Sequence, residues 1–95
     1  MHEEVIHGDP TKFSDDDWRK WAQVVVGFEK TTLTFVLVLP QLGKGDYDEH
    51  VGAMTRALRL HLNEQISGIV TVKESTRNGG LKARVSYDIT VHRRT

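Results

Sequence analysis

The sequence predicts an α+β fold: a four-stranded, mostly antiparallel sheet (ββαββ) with one long helix packed on one face. Three observations carry that expectation. Residues 81–92 alternate apolar and polar without a fault, the period of a strand with one buried face. Residues 33–39 form an almost continuous apolar run, which reads as a strand covered on both sides. Between them Tyr47, Val51, Met54, Leu58, Leu62 and Ile66 recur every three or four residues, the apolar stripe of an amphipathic helix.

Taken in order, residues 1–13 show no clear period and read as an extended N-terminal arm, in which Val5-Ile6 could form a short edge strand. Gly8-Asp9-Pro10 is a turn signal. Ser14 followed by Asp15, Asp16 and Asp17 is a helix start: Ser14 caps, Asp17 stands at the capping-box position, and the acids suit the positive end of the helix dipole. The next stretch admits two periods. Trp18, Trp21, Ala22, Val25 and Phe28 fit a helical face, whereas Ala22, Val24, Val26 and Phe28 alternate. Three consecutive valines and a glycine favour extended structure, so the expectation is one helical turn at 15–20 and a strand at 21–29. Leu33–Leu39 is the second strand and Pro40 ends it. Gln41–Gly45 is a loop, Asp46 with Glu49 forms a second capping box, and Gly68 closes the long helix. Residues 69–75 make a third strand, Asn78-Gly79 turns the chain, and 81–92 make the fourth.

A length of 95 residues allows a single domain, 1–95. With no cysteine there is no disulfide framework, thiol nucleophile or Cys-type zinc site. No apolar run approaches the roughly 18–20 residues of a membrane span, and the acidic start MHEEVIHGDP is the opposite of a signal peptide; no membrane partner is expected. The net charge is zero but segregated. Residues 1–17 carry one Lys against six acids, and residues 67–95 carry six bases against two acids. An acidic head and a basic tail can pair within a chain or between neighbouring chains.

One helix covers one face of a sheet. The ββαββ reading therefore leaves Val36 and Val38, with Val25 and either Val70 or Val72, on an uncovered face, and several kcal/mol of apolar burial would be forfeited there. The N-terminal arm, the tryptophans Trp18 and Trp21, or a second subunit would cover it. The expected subunit interface is Trp18, Trp21, Val25, Val36 and Val38.

Chemistry is sparse. His50 and His61 are eleven residues apart on the long helix, about 16 Å along its axis, and cannot share a metal. His2, His7 and His92 have no second ligand at metal spacing. The acids 15–17 are explained by helix capping. Gly43-Lys44-Gly45 lacks the P-loop frame and reads as a connector. No nucleophile, base and orienting acid are legible together, so no catalytic residue, metal or cofactor is expected, and the chain reads as a non-enzyme. Arg77, Lys82, Arg84, Arg93 and Arg94 form a basic contact surface that could meet phosphates.

The strand ending Leu33–Leu39-Pro40, the polar loop, the helix from Asp46 and the closing Gly79–Val91 hairpin together resemble siphophage tail-terminator and head–tail joining proteins, over roughly residues 21–92. The resemblance implies a bacteriophage virion assembly protein: a structural homo-oligomer forming a ring, usually a hexamer, that stops a tail tube and docks other tail or neck proteins. Its place would be the virion, or the host cytoplasm during assembly. The family commonly adds an N-terminal helix packed on the sheet, where this chain has a short acidic segment. A different class follows if 15–29 is helical after all. The order then becomes strand–helix–strand–helix–strand–strand (βαβαββ), shared by small archaeal chromatin proteins and by the C-terminal domain of a bacterial initiation factor. The basic hairpin 76–84 would then grip a nucleic-acid backbone. A third alternative is a phage-encoded inhibitor that binds a host protein.

Overall fold

The structure is a computed structural model that describes residues 2–38, 44–66, 68–79 and 82–93. Its elements are β1 (His2–His7), a 3-10 turn (Pro10–Lys12), α1 (Asp15–Val26), β2 (Lys30–Val38), α2 (Lys44–Gln65), β3 (Gly68–Gly79) and β4 (Lys82–Arg93). The fold class is α+β with a four-stranded mixed sheet, ordered β1-β2-β4-β3. β2 and β3 both pair antiparallel with β4, and β1 pairs parallel with β2.

Two expectations are corrected. Residues 21–29 are not a strand, because α1 continues to Val26. The supposed arm supplies the fourth strand, with His2–His7 in register with Thr31–Val36. The two corrections have one cause. A parallel pair cannot be closed by a tight turn and needs a crossover, usually a helix. Once 2–7 joins the sheet beside β2, residues 15–26 must travel back along it, and the helical period serves that path.

The start of α1 is as the sequence dictates. Asp17 N–H donates to Ser14 Oγ at 3.3 Å, and Ser14 N–H donates to Asp17 Oδ2 at 3.0 Å. The buried positions Trp18, Ala22 and Val25 follow at helical spacing. Of the three valines only Val25 is fully buried, while Val26 stands 36 % exposed. Strand propensity gains nothing without burial, and tertiary packing decides the segment.

Both helices pack on the same face of the sheet. Leu33, Phe35 and Leu37 of β2, Val85, Tyr87 and Ile89 of β4, and Val70 and Val72 of β3 form one core. That core also takes in Ile6, Trp18, Val25, Val51, Met54, Leu58 and Leu62. Phe35 stands edge-on to Tyr87 at 5.9 Å between centroids, and Trp18 stacks on the His61 ring at 4.8 Å. The chain enters β3 through Gly68, where a Cβ would lie 2.8 Å from the His92 carbonyl oxygen. That approach is why glycine stands there.

The expectation of apolar area on both faces also changes. Trp18, Val25, Val70 and Val72 lie in the helix-side core, so Trp18 and Val25 are not offered to a second subunit. Trp21 is half-buried against the same core. Val36 lies on the opposite face, opposite His7 and Arg84, and is 8 % exposed. The Val38 side chain lies outside the description.

Two stability predictions follow from the core. Leu58 is 1 % exposed, and Leu58→Ala should cost about 2–5 kcal/mol in urea unfolding. The Thr31 hydroxyl, buried on the helix side of β2, finds no hydrogen-bond partner among the described residues. Thr31→Val keeps the shape and removes that group, so it should raise unfolding stability by about 1–3 kcal/mol; a loss of stability would contradict the assignment.

Candidate nucleic-acid interface

With both helices on one side, no helix among the described residues covers the other face of the sheet, which is the open face. Strand alternation assigns its residues. Glu3 and Val5 come from β1, and Lys30, Thr32 and Thr34 from β2. β4 contributes Arg84, Ser86, Asp88 and Thr90, and β3 contributes Ile69, Thr71, Lys73 and Ser75. The face is polar and rich in hydroxyls. A hollow of about 710 Å³ runs along it, lined by residues of all four strands.

Register places these groups in rows across the sheet. One row runs Glu3, Thr32, Asp88, Lys73. In it Thr32 Oγ1 donates to Asp88 Oδ1 at 2.9 Å, and Lys73 stands opposite Asp88 from the other side. The next runs Val5, Thr34, Ser86, Ser75, with the Thr34 and Ser86 hydroxyls 3.1 Å apart. A third runs His7, Val36, Arg84, Arg77.

The predicted basic residues are therefore partly brought together. Arg77 and Arg84 are direct register partners, and Lys82 pairs with Gly79 at the end of the hairpin. Arg93 pairs with Gly68 at the opposite end of β4, about 30 Å of strand away from Arg84 at roughly 3.3 Å per residue. Arg94 lies outside the described residues, and of Arg77, Lys82 and Arg93 only the backbone is described. The sequence missed Lys30 and Lys73 as members of this face. Both are exposed, and their strand parity could have found them.

A second polar cluster lies between the helix layer and the sheet. His50 Nε2 sits 2.9 Å from Asp9 Oδ2. Asp9 Oδ1 accepts from Thr11 N–H at 2.9 Å and from its hydroxyl at 2.6 Å. Deeper, Thr55 Oγ1 lies 2.9 Å from Val51 O, 3.1 Å from Glu74 Oε2 and 3.3 Å from the Tyr87 hydroxyl. One hydroxyl proton can serve only one of the three. Burial pushes the Tyr87 phenol up to about 12, the Thr55 hydrogen bond opposes this, and the Glu74 carboxylate adds to it. Burial, then Glu74 and Asp48, also raise the Tyr47 phenol. This cluster ties Asp9, the start of α2 and the two strands of the hairpin together, and nothing in it pairs a nucleophile with a base.

The histidines are dispersed. His2 stacks on Phe28 at 4.1 Å and lies 2.8 Å from Glu4, His50 meets Asp9, and His61 covers Trp18. Among the described residues no three metal-type ligands converge. Gly43 lies outside the described residues, and Lys44 and Gly45 begin α2. No family model matches the chain, and no curated protein matches it.

The tyrosine core generates a pH prediction. A phenol whose pKa is higher folded than unfolded contributes its full stabilisation below its ordinary value of 10.0, and loses it as pH rises towards about 12. The urea midpoint should therefore fall through that window, and fall less steeply in Tyr87→Phe. Equal slopes would show that Tyr87 is not held neutral by the core.

Proposed function

We propose that this chain binds a nucleic-acid backbone through the open face of its sheet at the β3–β4 hairpin. The observation that carries the reading is the register of that hairpin, which sets Arg77 directly opposite Arg84. Like charges at opposed positions destabilise a strand pair, and a phosphate lying across them turns that cost into binding. Lys30 and Lys73 stand on the same face, and the hydroxyls of Thr34, Ser86 and Ser75 form the row between Lys73 and the arginine pair. Arg, Lys, Ser and Thr side chains are the usual phosphate and sugar contacts. The element order supports the reading as well, since a helical 15–26 makes it strand–helix–strand–helix–strand–strand, the order of the chromatin and initiation-factor domains. Among the described residues no Phe, Tyr or Trp side chain stands on the open face, so the contact is to the backbone and not by base stacking on such rings.

A ring-forming virion subunit is the second reading. One observation favours it: α1 supplies the N-terminal helix on the sheet that the tail-terminator resemblance expects. Light scattering after gel filtration tests it, with a ring mass expected and a monomer mass excluding it.

The nucleic-acid reading is tested by anisotropy with labelled duplex DNA and RNA. Binding should appear at about 50 mM salt and weaken along a straight log–log line, with a slope of about −0.9 per phosphate contacted. Arg84→Glu should lower affinity at least tenfold and flatten the slope by about one contact. Absence of binding at that salt, or an Arg84→Glu variant that binds unchanged, overturns the reading.

A further inference from the structure

The sheet ends in two unlike edges. β1 is one edge strand and β3 the other. β1 runs parallel to β2, β2 antiparallel to β4, and β4 antiparallel to β3, so β1 and β3 point the same way. A second copy laid beside the first, with its helices on the same side, therefore brings its β1 alongside β3 as a parallel strand. This contact is heterologous: each copy offers a donor edge and an acceptor edge, and the series closes into a ring or runs on as a filament.

The acceptor edge is open over only part of its length. Side chains of α2 reach over its first half, where Val70 N–H donates to Asn63 Oδ1 at 3.2 Å and Arg59 Nη2 donates to Val72 O at 3.4 Å. Such plugs are how proteins blunt an edge strand. Beyond Val72, among the described residues, no hydrogen bond from α2 reaches the β3 backbone. The stretch from Lys73 to Gly79 is seven residues long, and β1 is six. The charges also match. β1 carries Glu3 and Glu4. The open stretch of β3 carries Lys73 and Arg77 against one acid, Glu74, and the Glu74 carboxylate is turned inward to Thr55 at 3.1 Å. Val5, 62 % exposed on β1, would gain a neighbouring strand.

We propose that copies of this chain associate head to tail by parallel addition of β1 of one copy to the Lys73–Gly79 edge of β3 of the next. The contact shares Lys73 and Arg77 with the nucleic-acid reading, but Arg84 lies on β4, which is flanked on both sides by strands of its own chain, so Arg84→Glu tests that reading without altering either edge. Strand addition of this length depends on main-chain hydrogen bonds with charge selecting the partner, so association rises with protein concentration and falls with salt.

Sedimentation velocity tests the proposal with two variants at exposed positions, Glu3→Lys and Lys73→Glu. The parent chain should move from monomer to larger species as concentration rises at low salt. Each variant alone should remain monomeric while its circular dichroism is unchanged. An equimolar mixture should associate again, because the charges are complementary between the two chains. A parent chain that stays monomeric throughout overturns the proposal. So does an oligomer that Glu3→Lys leaves intact, which would point to a symmetric β3–β3 pair, and so does a mixture that fails to recover association.

Discussion

The parallel pairing of β1 with β2 is the constraint on which the rest of the molecule depends. Six residues that look like a loose terminus sit in register with Thr31–Val36. That placement obliges residues 15–26 to serve as the crossover, because a parallel connection cannot be made by a turn. Crossovers of this kind are right-handed almost without exception, which fixes the side of the sheet that α1 covers. α2 packs on that same side, and the other face is left with hydroxyls, lysines and one arginine of described position.

This arrangement changes what the protein must do about its own surface. A sheet with one helix would leave valines wet and demand a partner for solubility. With two helices on one side, Trp18, Val25, Val70 and Val72 are consumed by the core of a single chain. The demand for a partner is then polar and not apolar. It falls on Arg77 and Arg84, opposed in register, and on the two edge strands of the sheet. Charges and main-chain groups of that kind give contacts sensitive to salt and register, in contrast to the broad apolar patch of an obligate interface.

Much of this was legible from residue order alone. The stripe from Tyr47 to Ile66, the 84–90 part of the 81–92 alternation and the Ser14–Asp17 capping box all appear where the periodicities place them. These elements carry their own pattern and need no distant information. The segment 21–29 was misread because its valines satisfy both periods, and the choice between them is made by β1, twenty residues upstream. β1 itself was illegible as a full strand: of its six residues only Ile6 is buried, so an edge strand of this kind leaves almost no hydrophobic trace. For the same reason the open face was misjudged. Its Thr and Ser residues read as ordinary polar positions until register lines them up, and Lys30 and Lys73 gain meaning only when Asp88 is seen between Thr32 and Lys73. The Asp9–His50 contact and the Thr55–Glu74–Tyr87 cluster join positions far apart in sequence, and no local motif announces them.

Backbone NMR reaches both the pairing of β1 and its helical consequence in one sample. The structure predicts close Hα and amide contacts between residues 3–6 and 32–35, slow amide exchange on that strand pair, and an unbroken series of sequential amide–amide contacts from Asp15 to Val26. Fast exchange over residues 2–7, together with strand-like contacts over 21–29, would contradict it.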